Sequence, residues 1–367
     1  MSRAYDKPFF LTVVALVILG IFIFTSASLG LLVKEGASFG SVAKNQILFG
    51  LLGGIIAAFI TSHIHYTFWK KHAFFILLGA LALSLLVFIP SLGFSHGGAK
   101  RWVDLGITTF QPSVLLQVSF IVYLSAWLAS AQKKLSSFKF SVLPFLIIMS
   151  LVGGVLLAQN DIDVIVILFI IGLALLFGAG VKWRHLISIV LIATFLFGFI
   201  VWQKPHVLDR LLTFANPDRD SLGASYQIEQ SLIAIGSGGI TGRGFGQSVQ
   251  KFNFLPEPIG DSIFAVYAEE FGFIGGVVLI LLFVFLGLRG LKIATQAPDL
   301  FSRLLALGIV ILVVMQSLLN IGAMLAVVPL IGTPLLFVSH GGTALFMVLA
   351  DAGIVLNISK YTLKPKK

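Results

Sequence analysis

The sequence has no cysteine and very little charge. The absence of cysteine among its 367 residues excludes disulfide bonds, thiolate metal sites and a cysteine nucleophile, although it does not identify a compartment. Only 11% of the residues are charged, and the 15 acidic residues are outnumbered by 25 lysines and arginines. Soluble domains need a far more charged surface than this. The composition therefore excludes an ordinary soluble protein.

Apolar residues, in contrast, are abundant and occur in long runs. They make up 58% of the chain, and the mean hydropathy is +1.03. Runs of about 20 apolar residues, each long enough to cross a bilayer as a helix, recur along the chain. We predict an all-α polytopic membrane protein that forms one domain over residues 1–367. The net charge of +10 then indicates basic cytoplasmic loops and attraction to anionic membrane lipids, and not a nucleic-acid partner.

The apolar runs predict ten membrane spans. The first continues through Val33, which is too long for an ordinary cleaved signal, so we expect it to be retained as a helix. The predicted spans are roughly 9–33, 47–64, 73–92, 112–130, 140–158, 162–180, 185–202, 261–288, 304–325 and 334–358.

The distribution of basic residues predicts the orientation. With both termini cytoplasmic, 16 of the 25 basic residues lie on the inner side, mostly in short loops, as the positive-inside rule requires. The long segment of about residues 203–260, between spans seven and eight, is then extracytoplasmic, as is the shorter segment 93–111. Loops this long in a helical bundle are usually functional or disordered. The mixture of apolar residues and glycines in 203–260 argues against disorder.

Four carboxylates stand where the long loop enters span eight: Glu257, Asp261, Glu269 and Glu270. Acids at a membrane boundary are costly unless they are paired, hydrated or used. We expect Asp261 at the outer surface and Glu269 roughly 12 Å deeper on nearly the same helical face. Position alone leaves two roles open for Asp261, a helix N-cap or a catalytic carboxylate, and it favours the cap.

Other charged residues also have two readings. Arg101 and Arg210 are suited to phosphate, because a guanidinium can donate two parallel hydrogen bonds, but lipid headgroups or loop ion pairs use arginine too. Asp161 and Asp163 open span six, where they would relay protons or cap a helix, and the cap is favoured. Asp351 is expected near the inner end of span ten, reaching towards the interface.

No nucleotide or metal signature is present. The glycine-rich stretches 236–239 and 242–246 follow no predicted strand, so tight turns are favoured over a phosphate cradle. The seven histidines form no ligand pattern on one helix. The residues alone leave three classes open: a membrane enzyme acting on a lipid-borne substrate, a transporter or flippase, and a scaffold. The long outer loop joined to an interfacial carboxylate favours the enzyme.

Several long motifs, in order from the first span to the last, carry a family resemblance. They are Ser26-Ala27-Ser28, Gly98-Ala99-Lys100-Arg101-Trp102, Phe110-Gln111-Pro112-Ser113, Tyr226-Gln227, residues 230–239, residues 255–270, Asn320-Ile321-Gly322 and residues 334–342. The chain resembles the SEDS family (shape, elongation, division and sporulation proteins) of peptidoglycan polymerases. Residues 246–251 before Leu255-Pro256-Glu257 are more similar to the division branch, FtsW, than to RodA.

This resemblance implies a reaction and a site. Asp261 matches the family's essential acid and would be the general base of an inverting glycosyltransferase. Such an enzyme joins lipid II units at the outer face of the cytoplasmic membrane and releases undecaprenyl diphosphate. The alternatives are a lipid II flippase or other polyprenyl-lipid transporter, and an elongation polymerase of the RodA type. The substrate contacts implied are Arg101, Arg210, Tyr226, Gln227, Lys251 and Glu257.

The resemblance also implies partners and allows a cofactor. The expected partners are a class B penicillin-binding protein, which cross-links the new strands, and other divisome proteins. A divalent cation, magnesium or manganese, is an allowed cofactor at the pyrophosphate. Three departures from the family pattern stand out. Val114 and Gln117 replace the usual Glu and Lys, Asn160 and Asp163 replace the Pro and Gly of Gln-Pro-Asp-Leu-Gly, and His340 replaces a Tyr.

Overall fold

The computed structural model describes residues 4–33, 39–96, 99–104, 106, 109–203, 208, 212–214 and 224–362. Almost all of its regular structure is helical. The α-helices are α1 (Lys7–Ser28), α2 (Phe39–Lys44), α3 (Gly54–His63), α4 (Thr67–Leu85), α5 (Pro112–Ser130), α6 (Phe138–Ala158), α7 (Ile162–Gly178), α8 (Trp183–Gln203), α9 (Ala224–Ser237), α10 (Ile263–Thr295), α11 (Leu300–Met324) and α12 (Gly342–Ser359). A π-helix, Asn45–Gly53, joins α2 to α3, and the short 3₁₀ helices are Leu29–Val33, Leu86–Phe88 and Gln132–Lys134.

The ten predicted spans each correspond to one helical segment. In the described part of the chain, nine segments are long and apolar enough to cross a membrane. The tenth, α7, is apolar but has only 17 residues. Its length of about 26 Å is slightly less than the thickness of a bilayer's hydrocarbon core, even if the helix is not tilted. The prediction of a multi-pass helical membrane protein is confirmed.

The two ends of the described bundle meet at one face. The backbone N–H of Asp6, just before α1, donates to Ser359 Oγ at the end of α12 (3.0 Å). The Asp6 carboxylate caps α1 through Phe9 N (2.9 Å) and accepts from Arg289 Nη2 of α10 (2.8 Å). The start of α1 and the end of α12 therefore lie on the same side, as an even number of spans requires. That this side is cytoplasmic stays a prediction.

The helix α12 lies at the centre of the bundle, whereas α8 lies at its edge. Nearly every residue of α12 is buried, and most of α8 is exposed and apolar, as a lipid-facing helix should be. Gly353 lets α12 approach α3 closely, because a Cβ there would overlap Thr61 and Ala58. The same approach allows Thr61 Oγ1 to donate to Ala350 O (2.8 Å).

A three-stranded antiparallel sheet, absent from our sequence prediction, covers the outer segment before α5. Its strands are β1 (Gly93–His96), β2 (Ala99–Asp104) and β3 (Thr109–Phe110), in the order β1-β2-β3. In the register, Val103 pairs with Phe110 and Phe94 with Trp102. The alternation of these short strands is too brief to stand out beside the apolar spans. The sheet places Arg101 at the N-terminal end of α7.

A break at Gly272 divides α10 into an N-terminal and a C-terminal part. Gly272 has φ +63 and ψ −163, a conformation that glycine adopts without strain. Side chains before it are buried in protein, whereas Phe273, 71% exposed, begins a run of apolar side chains suited to lipid. The break lies beyond Glu269, so the expected depth of Glu269, roughly 12 Å below Asp261, stays a prediction. Residues 263–271 lie inside the protein and not along the lipid-facing span.

The glycine-rich stretches fold onto this break as turns. Gly239, Gly242, Gly244 and Gly246 all have positive φ. Gly244 N donates to Glu270 O (2.9 Å) in the N-terminal part of α10. A Cβ on Gly242 would overlap the backbone there. The prediction of tight turns is confirmed.

Candidate functional site

The turn that carries Asp261 is held by backbone contacts. Glu257, at φ +47, accepts hydrogen bonds through its carbonyl from Gly260 N (3.0 Å) and Ser262 N (3.2 Å). Ser262 occupies the N-cap position of α10, and Asp261 lies one residue before it. The capping role favoured by position alone is therefore wrong for Asp261. Its half-buried carboxylate lies close to Gly332, in the segment between α11 and α12.

A second carboxylate lies beside Asp261. Gly332, in the segment between α11 and α12, donates its N–H to Asp163 Oδ2 (3.3 Å). A Cβ at Gly332 would lie 3.7 Å from Asp163 Oδ2 and 3.7 Å from Asp261 Oδ2. The two carboxylates are thus separated by no more than twice that distance. Two acids that the sequence separates by almost 100 residues flank one glycine.

Arg101 pairs with the acid that precedes α7. Its Nη1 lies 3.4 Å from Asp161 Oδ1, and Nη2 donates to the carbonyl of Asn160. Burial raises the pKa of the Asp161 carboxyl, Arg101 opposes this rise, and Asp163 adds to it. Asp161 is at the N-cap position but makes no side-chain cap bond, so the favoured capping role is wrong here as well. Arg101 Nε is buried without a partner in the described structure.

The remaining expected substrate contacts are spread over different environments. Gln227 on α9 donates to Ser262 Oγ (2.9 Å), and its neighbour Tyr226 is half-buried. Glu257 has an exposed side chain. Arg210 lies outside the described residues. Gln227 thus contacts Ser262, the residue that follows Asp261, and helps to hold the start of α10.

Lys251 is not placed to make the substrate contact that the sequence predicted. It is fully buried, and its ammonium donates to Glu270 Oε1 (2.8 Å), Ser26 Oγ (3.0 Å) and Gly246 O (2.9 Å). All three of its protons are therefore used inside the protein. In this structure Lys251 fastens the loop to α1 and α10 and does not reach the Asp261 turn.

Glu269 anchors the adjacent loop residues. Its carboxylate accepts from Ser248 Oγ (2.6 Å) and from Val249 N (3.0 Å), and Arg243 Nη1 lies 3.4 Å away. Together with Lys251 and Glu270, this makes a cluster of two positive and two negative charges, in which only Arg243 is exposed. The acids at 269 and 270 are thus paired structural groups, distinct from Asp261.

A relay of hydrogen bonds links the π-helix to the Asp261 turn. Gln46 donates through Nε2 to Ser339 O (3.2 Å) and accepts through Oε1 from Gly341 N (3.0 Å). Ser339 Oγ in turn donates to Gly260 O (2.8 Å), and His340 N donates to Ile259 O (2.7 Å). Sequence reasoning missed Gln46, because it follows Lys44 and Asn45 just before the predicted span 47–64 and belongs there to a short polar segment.

The positions that depart from the family pattern lie around this site. Val114 and Gln117 line a cavity beneath it, and Asp163 bonds Gly332 as described above. His340 lies in the segment before α12, and its ring stacks on Phe24 with centroids 6.0 Å apart. Burial lowers the pKa of His340.

The acids around Gly332 provide few ligands for a metal ion. Among the described residues, no group of three or more histidine or acidic side chains is placed to hold a metal ion. Two carboxylates, at Asp163 and Asp261, are nevertheless the number that magnesium often uses when substrate phosphates supply other ligands. The donor set therefore fits a divalent ion only together with a phosphate-bearing substrate.

Comparisons with known proteins cover nearly the whole chain. The FtsW/RodA/SpoVE family of cell cycle proteins matches residues 6–364. Stage V sporulation protein E of Bacillus subtilis is 36% identical over 320 residues, which is 87% of each chain. The probable peptidoglycan glycosyltransferase FtsW of Geobacter sulfurreducens is 36% identical over 356 residues, covering 97% of this chain and 95% of that protein.

Solved structures agree with this assignment. A chain from a peptidoglycan synthase complex superimposes with a TM-score of 0.79 at 27% identity, over 97% of this chain and 98% of that one. The rod shape determining protein RodA of Thermus thermophilus shares the fold, with a TM-score of 0.70 at 24% identity over 98% of both chains. The chain therefore belongs to the FtsW/RodA/SpoVE family of multi-pass membrane proteins.

Proposed function

We propose that this protein is a peptidoglycan glycosyltransferase of the division type, which polymerises lipid II at the outer face of the cytoplasmic membrane. The observation that carries the proposal is the Asp261 turn. The turn that carries this half-buried carboxylate is fixed by Asn320, Gln227 and the Ser339 relay, which bind Asp261 O, Ser262 Oγ and Gly260 O. Family membership and relatives named as glycosyltransferases support the same reaction.

The reaction forms one glycosidic bond and breaks one bond to phosphate. The 4-hydroxyl of the acceptor GlcNAc attacks the anomeric carbon of the donor MurNAc from the face opposite the leaving group. Undecaprenyl diphosphate departs with the bonding electrons, so the configuration inverts. Asp261 accepts the hydroxyl proton as the new bond forms, which is general-base catalysis. Fixing its backbone keeps the base within reach of the acceptor.

Arg101 and Arg210 are the proposed partners of the pyrophosphate. Arg101 is already held by Asp161, which orients its guanidinium, and its unpartnered Nε leaves a donor for a phosphate oxygen. Positive charge close to the leaving group stabilises the charge that develops there. A divalent ion held by Asp163 beside the pyrophosphate would supply the same kind of stabilisation.

The proposed partner is a class B penicillin-binding protein. The similar chain from a peptidoglycan synthase complex supports an assembly in which polymerisation and cross-linking are coordinated. The other proposed partners are divisome proteins and anionic membrane lipids. The positive-inside distribution of basic residues supports an orientation with the Asp261 site outside.

The test is polymerisation of labelled lipid II by the purified protein with its penicillin-binding partner. We expect wild type to make glycan strands and Asp261→Asn to make none, with its thermal unfolding unchanged. Asp104→Asn, which alters an exposed acid at the end of β2, should be as active as wild type. Normal polymerisation by Asp261→Asn would exclude the general-base role. Transport of lipid II across liposomes without joining it would favour a flippase.

A further inference from the structure

A small cavity lies inside the bundle, between α5, α7, α11 and α12. Gly332, beside the two candidate acids, is one of its lining residues. Three polar side chains line it within the membrane-spanning helices. Asp351 is nine residues into α12, about 14 Å along the helix, and not near the inner end as expected. Gln117 is five residues into α5, and Gln316 is eight residues before the end of α11.

These three side chains are buried but have no partner. Asp351 is 3% exposed, Gln117 4% and Gln316 6%, and within the part of the chain that the structure describes none makes a hydrogen bond or ion pair. Two further polar atoms of the same cavity, Asp161 Oδ2 and Thr333 Oγ1, also lack partners there. Buried polar groups are normally hydrogen-bonded, so a group of this kind around one cavity indicates a polar ligand.

The charge of Asp351 limits which class of ligand the cavity can bind. A carboxylate among transmembrane helices is costly unless a positive charge neutralises it, and no described lysine or arginine pairs with it. If Asp351 were protonated, its hydroxyl would be expected to donate a hydrogen bond to the side-chain oxygen of Gln117 or Gln316. Neither hydrogen bond is present. The side chains instead stand apart around the cavity, with oxygen atoms available from each.

We infer that Asp351, Gln117 and Gln316 form a binding site for one sodium ion. Carboxylate, amide and hydroxyl oxygens are the ligands of hard cations, and a single carboxylate balances a single positive charge. The cavity extends to Gly332, beside the acids Asp163 and Asp261. An ion bound here joins α5, α11 and α12 at mid-bundle.

Sodium binding is tested by thermal unfolding of the detergent-purified full-length protein. The melting temperature is measured at constant ionic strength while sodium chloride replaces choline chloride. A ligand that binds only the folded state lowers the apparent unfolding constant about 11-fold at ten times its dissociation constant. We expect this stabilisation in wild type and none in Asp351→Asn. Direct binding of radioactive ²²Na⁺ should show one site per protein, lost in the same variant.

Further variants separate sodium binding from folding and from the polymerase site. Gln117→Leu and Gln316→Leu should each weaken sodium affinity at least tenfold, so the test does not depend on how well Asp351→Asn folds. Asp104→Asn and Asp261→Asn should keep wild-type sodium binding. Equal melting temperatures of wild type in sodium and choline, or sodium stabilisation that persists without Asp351 and both glutamines, would overturn the inference.

Discussion

Asn320 binds the two segments that meet at the candidate site. Its side-chain amide donates to the backbone carbonyl of Asp261 at 2.9 Å and to that of Thr333 at 2.8 Å. One residue of α11 thus fixes the base and the segment that carries Gly332 relative to each other. Since Asn320 contacts backbone only, its effect on the reaction acts through the position of Asp261.

Replacing Asn320 should lower turnover more than substrate affinity. Asn320→Leu removes both donors and leaves two carbonyls without partners, a cost of about 1–3 kcal/mol per buried group. We expect kcat for lipid II polymerisation to fall at least tenfold, with KM changed less than threefold. Asn357→Leu is the matched control, because Asn357 is also buried and donates to a carbonyl, Ser62 O, at the opposite end of the bundle. Equal loss of kcat in both variants would show a general packing defect.

Gln46 and Ser339 should act as one unit. Because they lie in the same relay to Gly260, the effects of Gln46→Leu and Ser339→Ala on kcat should be smaller together than the sum of each alone. We expect a coupling energy of about 0.5–3 kcal/mol. The pair Gln46→Leu and Asn357→Leu has no shared contact and should be additive. Full additivity in the first pair would contradict the relay.

Lys251 should contribute to stability through Glu270. Lys251→Met leaves the Glu270 carboxylate buried without its charge partner, which destabilises by about 3–5 kcal/mol. The double variant with Glu270→Gln should recover part of this loss. Arg243→Met provides the comparison, because Arg243 is 41% exposed and its pair with Glu269 should be worth less than about 1 kcal/mol. Thermal unfolding in detergent measures each difference, and equal effects of the two single variants would refute the proposed role of burial.

Asp161 should make stability depend on pH. Burial raises its pKa in the folded protein, so the folded state binds this proton more tightly than the unfolded state. The stabilisation is complete below the unfolded pKa of about 3.9 and is lost as pH rises through the raised value. The melting temperature of wild type should therefore fall across this window more than that of Asp161→Asn. Arg101→Met should enlarge the fall, and parallel curves for all three would contradict the prediction.

The number and positions of the spans were predictable because apolar runs of bilayer length have few alternatives in an aqueous and lipid environment. The sheet around Arg101 was not, since its strands are too short to show a clear alternation. The break at Gly272 was also missed. A glycine in an apolar run is compatible with a straight helix, and only the loop that packs against it requires the left-handed conformation.

The candidate site was predictable in part. The motif around Asp261 pointed to the acid, but the expectation for Lys251 assumed that a loop lysine faces substrate, and here its ammonium is enclosed by Glu270 and Ser26. Which side chain a loop buries depends on long-range contacts that local sequence does not contain. The proximity of Asp163 and Asp261 also depends on long-range contacts, because it arises where three separate segments meet at Gly332.

The sequence by itself determined that this chain is a helical membrane protein with ten apolar segments and an acid at the end of a long polar loop. Hydrophobicity and length suffice for that, since each span is specified by its own residues. Tertiary structure decided which of the four acids of that region lies next to Gly332 and Asp163. Glu269 and Glu270 are neutralised by Arg243 and Lys251 from the folded loop. Asp261 is held by its backbone, which leaves its carboxylate beside Asp163.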